Sequence, residues 1–433
     1  MSKRVLITAI MFLSAISFAA AQTGAWSGKL DIQGTELSLV FHLDDDQPTM
    51  DSPDQGVKGI PIQVERKGAG VISISIPSLG ASYEGTWLIR QIAGTFSQMN
   101  ISLPLTLTPG EDKPKRPQTP TGPFPYATEE VAFCNGDIVL NGTLTLPDGY
   151  SRTTPALVMV TGSGQQNRDE ELFEHKPFAV IADALARAGI ATLRYDDRGF
   201  GKNAGSYYNC TTEDFKNDAL AGLMFLKERF DKAGVLGHSE GGTIALMIAA
   251  EQKADFIISL AGMVISGAET LVDQSRTALA REGFPQETID TYCKVIGQAY
   301  DVKVHGGRMP AIEDYDLPDA LKQNYLAVLT QIQMPYLAHF LSLDMRKLLD
   351  RITCPVLALN GTKDIQVNAE TNLNALTNGL TASNRNRIES VEGVNHLFPH
   401  CTTGAVTEYR LIEQTIAPEV LETMITWIHS PQF

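Results

Sequence analysis

Four short, mostly apolar runs beyond Tyr126 constrain the fold most. They are Ala156-Leu157-Val158-Met159-Val160, Ala191-Thr192-Leu193-Arg194-Tyr195, Phe256-Ile257-Ile258-Ser259-Leu260 and Pro355-Val356-Leu357-Ala358-Leu359. Runs this short read as strands, and apolar character on both faces means that both faces are covered. Helical patterns at 178–188 and 211–230 lie between them, and an amphipathic stretch at 419–428 follows. Alternation of this kind predicts an α/β fold with a mostly parallel, doubly covered sheet. Residues 138–146 alternate as a strand pair would and open the region. Between 267 and 349 the rhythm stops: helical patterns at 268–281, 286–300 and 318–334 carry no clear strand between them. A helical insertion between two sheet strands is expected to lie as a lid over the strand ends.

The first part of the chain has a different period. Leu37 to Leu43 and Val71 to Ile76 alternate apolar with small or polar residues, and turn clusters such as Ser52-Pro53-Asp54-Gln55-Gly56 separate such runs. Residues 22–110 therefore predict a small antiparallel barrel or sandwich. Six prolines between Pro109 and Pro125 then predict an extended linker over 111–125, with a second domain over 126–433. At the N-terminus, Lys3 and Arg4 precede an apolar run from Val5 to Phe18 and the small residues Ala19-Ala20-Ala21. This is the pattern of a signal peptide over 1–21, too short to span a bilayer, and it predicts export to the periplasm or the exterior.

Composition removes whole classes of function. The 433 residues hold 35 Lys+Arg against 50 Asp+Glu, a net charge of −15, and no further run is apolar enough to span a membrane. Nucleic-acid binding without sequence preference needs a basic face, so it is not expected, and neither is stable membrane insertion. Five cysteines are too few for a disulfide scaffold, and their pairing cannot be read from spacing. The sequence has no His-Glu-x-x-His helix, Walker-type loop or Cys-x-x-Cys pair, so no metal or cofactor is expected. His396, His400 and Cys401 have ligating side chains, but the grouping reads more economically as one base and two bystanders.

The chemistry is carried by Gly237-His238-Ser239-Glu240-Gly241-Gly242, which follows the apolar segment 233–236 and opens a helical pattern at 243–250. A serine on so tight a strand-to-helix turn needs glycine at its flanks, because the backbone is strained and side chains would clash. This is the nucleophile elbow, and on it the chain from Tyr126 onward resembles the α/β-hydrolase superfamily. More narrowly it resembles secreted bacterial esterases with an N-terminal β-domain, related to dienelactone-hydrolase-like and serine-aminopeptidase-like hydrolases. The resemblance implies an α/β-hydrolase fold with a helical lid, and a triad in the chain order Ser, acid, His.

A serine hydroxyl needs a base to take its proton, and the base needs an orienting acid. Among the eight histidines, five follow Ser239: His305, His339, His396, His400 and His429. His396 sits directly after the strand pattern 387–391, at a strand end where a base can reach the nucleophile, and His400 is its rival. Gly361-Thr362-Lys363-Asp364 resembles the family's acid position, which implies Asp364. Asp197, the alternative carboxylate, precedes Ser239 and falls in a segment resembling a structural loop of the family, though Asn203 replaces the serine often found there. The oxyanion of an acyl-transfer intermediate needs two N–H donors. The resemblance implies Glu240 for one and the loop 161–169 for the other, with Ser163 favoured over Gly164 and Gln165, although Thr161 stands where the family commonly has histidine.

The expected function is hydrolysis of small-molecule carboxylic esters through an acyl-enzyme on Ser239. A thioesterase, or an aminopeptidase or dipeptidyl peptidase, is the rival; the peptidases would need amine anchors, which Glu313, Asp314 and Asp316 of the lid could supply, although a solvated acidic loop is the plainer reading of those three. Another class of reading makes the β-domain a glycan- or protein-binding module, with Trp26 and Trp87 presenting an aromatic face. Oligomeric state and substrate specificity are not legible.

Overall fold

The computed structural model describes residues 24–430 apart from 33–34, 44–46, 56, 89, 100, 112–114, 204, 206 and 208. The expected signal peptide over 1–21 lies outside the described residues. The chain divides into two compact units between Lys115 and Arg116.

The first unit is an antiparallel sheet with the order β4-β3-β2-β1-β9-β8-β7-β6-β5. Its strands are β1 (Ala25–Ile32), β2 (Thr35–His42), β3 (Thr49–Ser52), β4 (Val57–Pro61), β5 (Gln63–Lys67), β6 (Val71–Ile76), β7 (Ala81–Trp87), β8 (Ile92–Gln98) and β9 (Ile101–Pro109). The two strands at the ends of this order are separated in the chain by the buried Ile62 alone. Period-two alternation builds the core: Ile72, Ile74 and Ile76 of β6 are fully buried, whereas Val71, Ser73 and Ser75 take the other face. Both tryptophans belong to that interior. Trp26 is 2% exposed and meets Trp87 edge to face at 4.8 Å, and Trp87 packs against the same core. The aromatic face expected for glycans is therefore absent, because the pair is spent on packing.

The second unit carries β10 (Ala127–Asn135), β11 (Ile138–Leu146), β12 (Ala156–Val160), β13 (Ala191–Tyr195), β14 (Ala233–His238), β15 (Ile257–Leu260), β16 (Val356–Gly361) and β17 (Arg387–Val391). Their order is β10-β11-β13-β12-β14-β15-β16-β17, antiparallel at the β10–β11 and β11–β13 pairs and parallel throughout the rest. This is the α/β-hydrolase sheet. Both faces are covered, as the apolar runs require. In β12, Ala156, Val158 and Val160 enter the core under α2 (Thr212–Arg229) and α3 (Glu240–Ala250). Leu157 and Met159 enter the opposite core, under α1 (Pro177–Arg187) and a C-terminal helix, Pro418–Ile428.

Between β15 and β16 the chain leaves the sheet and forms α4 (Gly267–Arg281), α5 (Gln286–His305), α6 (Asp319–Gln331) and α7 (Pro335–Ser342), packed around a core of their own that includes Tyr292, Ile296, Tyr325 and Leu341. The sequence pattern ran one helix through 318–334 and missed α7. In the structure the first helix stops at Gln331 and a new one starts with Pro335 in its first turn, where a missing N–H costs nothing.

The proline-rich stretch is not a free spacer from Arg116 onward. The Arg116 guanidinium donates to the carbonyls of Phe173, Arg410 and Ile412, and Gln118 accepts from Thr415 N and donates to the Ile416 carbonyl. Side-chain hydrogen bonds, which composition does not reveal, tie that segment to the second unit. Among the described residues, none of the five cysteines forms a disulfide. No helix among the described residues is long and apolar enough to cross a membrane.

The same C-terminal segment is held by His175, which is buried with Nε2 donating to the Tyr409 carbonyl at 3.0 Å and Nδ1 facing Thr415 Oγ1 at 2.9 Å. Burial pushes its imidazole down to about 4, against the pull of the Tyr409 carbonyl. A depressed histidine contributes stability that is complete above the unfolded value near 6.5 and is lost as pH falls through about 4. Thermal midpoints measured from pH 7 to 4 should therefore drop more steeply for the natural protein than for His175→Gln, which has nothing to titrate there.

Candidate active site

Ser239 lies between β14 and α3 with φ of 54° and ψ of −117°. A positive φ at a residue with a Cβ stores roughly 1–3 kcal/mol of strain. The surrounding glycines show why the chain accepts it. A Cβ at Gly237 would sit 1.9 Å from the Gly241 carbonyl oxygen, and one at Gly241 would sit 2.0 Å from the Val160 carbonyl oxygen. The elbow is thus pressed against the end of β12, and it lifts Ser239 above the sheet.

The other two predicted triad residues meet directly. Asp364, beyond the end of β16, accepts the Nδ1–H of His396 on Oδ2 at 2.7 Å. Its Oδ1 takes the backbone N–H groups of Gln366 and Val367 at 2.8 and 2.9 Å. The Asp364 side chain is 0% exposed and that of His396 5%, so water does not compete for this bond. With Nδ1 protonated, the lone pair of His396 is left on Nε2. Ser239 and His396 line one cavity of about 330 Å³. His400, the rival base, is half-exposed and paired with Glu419 at 2.7 Å.

The same cavity is lined by Ser163 and Glu240. Gly162 donates its N–H to Glu170 Oε1 at 2.7 Å, and the Gly164 N–H is directed at the Tyr207 hydroxyl. Among the described residues neither the Ser163 nor the Glu240 N–H has a protein partner. Asp197, the rival carboxylate, spans this loop from below: it accepts from Thr161 Oγ1 at 3.0 Å and from Gln166 N at 2.7 Å. Burial pushes its carboxyl up to about 7, against the pull of those two donors. Asn203 accepts from Asn141 in the neighbouring strand, so it stitches the segment to β11.

Sequence reasoning missed four side chains here. The Glu240 carboxylate, directly after the elbow serine, turns away from its own N–H and accepts from Thr212 Oγ1 at 2.6 Å and from the Tyr336 hydroxyl of α7 at 2.8 Å. Burial raises this carboxyl, and the hydroxyls of Thr212, Tyr336 and Ser163 pull part of the way back. Tyr336 also lies 3.1 Å from Ser163 Oγ. One phenolic proton cannot serve both contacts, and the carboxylate is the stronger acceptor, so Tyr336 donates to Glu240. His238 and Glu170 form a second buried pair, with Nδ1 to Oε1 at 2.9 Å. Desolvation lowers the His238 imidazole, but the facing Glu170 carboxylate outweighs it and leaves the basicity raised. Of these four, Glu240 and His238 lay inside the elbow motif, which gave neither side chain a role.

Leu172, Met263, Leu271, Leu337, Phe340 and Leu397 supply most of the remaining wall, with Gln274 and Gln366 as polar points. Glu313, Asp314 and Asp316, the expected amine anchors, do not line it; all three are exposed, and Asp314 borders a separate hollow with Asp301 and Arg308. No group of three or more His, Cys, Asp or Glu among the described residues has the arrangement of a metal site.

The clash distances give a direct expectation. Gly241→Ala should drive the elbow off β12, lowering soluble yield and the thermal midpoint more than Gly297→Ala, whose Cβ would meet nothing closer than 3.5 Å. Both positions can be compared by calorimetry.

The family profile described as "Serine aminopeptidase, S33" matches residues 174–400, just over half of the chain, a stretch that holds Ser239, Asp364 and His396. Esterase EstD of Thermotoga maritima is 28% identical over 283 residues, which is 64% of this chain and 62% of that protein, so less than two thirds of the relative is spanned. Est1E from Butyrivibrio proteoclasticus is 19% identical, covering 70% of this chain and 99% of its own, with a TM-score of 0.40. An esterase of Pyrococcus furiosus is 14% identical over 74% of this chain and 98% of its own, with a TM-score of 0.45. By its matched core, its sheet order and its elbow, the chain belongs to the serine aminopeptidase (S33) family of α/β hydrolases.

Proposed function

We propose that this protein is an exported serine esterase that cleaves small, uncharged carboxylic esters through an acyl-enzyme on Ser239. The observation that carries the reading is the Asp364–His396 bond in the cavity of the strained Ser239, with two unpartnered N–H groups at its edge. His396 Nε2 accepts the Ser239 proton as Oγ attacks the acyl carbon, and Asp364 stabilises the imidazolium that forms. The Ser163 and Glu240 N–H groups take the oxyanion; one such donor is worth about 3–4 kcal/mol in the transition state. His396 then gives its proton to the leaving alkoxide, and a water activated by the same nitrogen releases the acid.

The cavity supports an ester over a peptide with a free amine. Its carboxylates are Glu170 and Glu240, and both are bonded to protein donors. Apolar walls and a volume near the lower end of the usual ligand range of about 300–1,000 Å³ favour a short or medium acyl group. The relative named Esterase EstD points the same way. Export rests on the N-terminal pattern of Lys3, Arg4 and the apolar run after them.

The test is the initial rate on p-nitrophenyl acetate, butyrate and octanoate beside aminoacyl p-nitroanilides. Ester turnover should dominate, and Ser239→Ala and His396→Ala should each lower kcat at least ~10³-fold, since triad members act as a unit. Anilide turnover that requires the free α-amine would replace this reading with a peptidase, and full activity in Ser239→Ala would end it.

A further inference from the structure

The proposed mechanism leaves Glu170 and His238 without a part, although they are buried as deeply as the triad, at 4% and 6% exposed. His238 has both ring nitrogens committed: Nδ1 to Glu170 Oε1 at 2.9 Å and Nε2 to the backbone carbonyl of His396 at 2.8 Å. A carbonyl oxygen only accepts, so Nε2 carries a hydrogen and His238 has no lone pair to offer a substrate. Glu170 Oε1 also accepts the Gly162 N–H at 2.7 Å. Glu170 itself has a φ of 53°, unusual for a residue with a side chain and found where surrounding structure imposes it.

We propose that Glu170 and His238 are a positioning pair that holds the base and the oxyanion loop in register around Ser239; the proposal rests on the Ser239–His396 reading above. Three segments meet in the pair. His238 is the last residue of β14 and is bonded through its own peptide to Ser239. Its ring anchors the His396 backbone, so that residue is fixed at two points: its Nδ1 by Asp364, its carbonyl by His238. The loop carrying His396 has no regular hydrogen-bond ladder, and without the His238 donor that buried carbonyl is left unsatisfied. On the opposite side, Glu170 takes the Gly162 N–H and so leaves the next amide, Ser163, as the one free to face the cavity. The loop runs close to the elbow, since a Cβ at Gly162 would be 3.2 Å from Ser239 Cβ and 3.4 Å from Glu170 Oε1. Whichever partner holds the shared proton, the bond between them stands. A shift of about 1 Å in a reacting group costs on the order of 10²-fold in rate, so the pair acts on kcat rather than on substrate binding.

The experiment uses the full chain with Glu170→Ala, His238→Phe, their double variant and Glu170→Gln. It reads kcat and KM on p-nitrophenyl butyrate, the rate of Ser239 modification by a fluorophosphonate, and the thermal midpoint. Each of the first two variants should lower kcat and the modification rate about 30–100-fold, with KM within about twofold, and the double variant should be no worse than either. Glu170→Gln keeps the shape in case the larger changes fail to fold. Its amide oxygen can hold the Gly162 N–H, but a neutral His238 has one hydrogen for two acceptors, so kcat should still fall about tenfold. Full kcat in Glu170→Gln, additive losses in the double variant, or losses in KM alone would overturn the proposal. A natural protein that neither turns over ester nor reacts with the fluorophosphonate would instead sink the Ser239 reading, and the positioning role with it.

Discussion

Backbone crowding at the Ser239 elbow is the constraint on which the remainder of the second unit depends. The Gly237 and Gly241 positions bring the turn within about 2 Å of carbonyl oxygens as measured to a hypothetical Cβ, and the Ser239 N–H is held by the Leu260 carbonyl at 2.8 Å. Such an approach is possible only where β12, β14 and β15 are adjacent and parallel, with their ends on one side. The doubly covered sheet provides this. Its two apolar faces fix the strands against α2 and α3 on one side and α1 and the C-terminal helix on the other. The strain in one residue is therefore carried by a core of many, and the proposed nucleophile is held in place by it.

Around that fixed point the site is assembled from buried carboxylates, each with a separate set of donors. Asp364 holds His396, Glu170 holds His238 and Gly162, Asp197 holds Thr161 and Gln166, and Glu240 holds Thr212 and Tyr336. Burying four carboxylates near one cavity is costly unless each is hydrogen-bonded. The consequence is rigidity. Three of the four reach segments with no regular secondary structure, where only side-chain bonds can specify geometry. Tyr336 adds a different link, since it connects the helical insertion to the two residues whose N–H groups face the cavity.

How much of this was legible follows from what is local. The apolar runs, the period-two strands and the glycines around Ser239 are patterns over a few neighbouring residues, and the sheet and elbow appear where those patterns lie. His396 was found because it follows a strand, and Asp364 because its surroundings resemble a family position. By contrast, Glu170, Thr212 and Tyr336 act through partners far along the chain, and nothing in their neighbours marks them. Tyr336 was doubly hidden, because the pattern at 318–334 ran past the break that starts α7 at Pro335. Trp26 and Trp87, which a glycan-binding face would need on the surface, instead follow the alternation of β1 and β7, with Trp26 in the core and Trp87 packed against it. Prolines suggested a free linker, but Arg116 and Gln118 within it bind carbonyls nearly three hundred residues away.

On the proposed reading, the placement of charge also favours an ester over a peptide on a scaffold shared by both. Recognition of an α-ammonium group needs a carboxylate whose lone pairs are available in a dry pocket, because pairing a buried cation is worth its desolvation only with good geometry. Here the carboxylates near Ser239 are already bonded to protein donors, and raising the Glu240 carboxyl by burial makes it a poorer counter-ion still. The lid acids, which are free of that commitment, stand outside the cavity. An amine drawn to either carboxylate would compete with Tyr336 or His238 for it and pull on the contacts around Ser239. On the proposed reading, a neutral acyl group seated against Leu271, Leu337 and Phe340 would meet no such competition, and its oxyanion would form beside the unpartnered Ser163 and Glu240 amides.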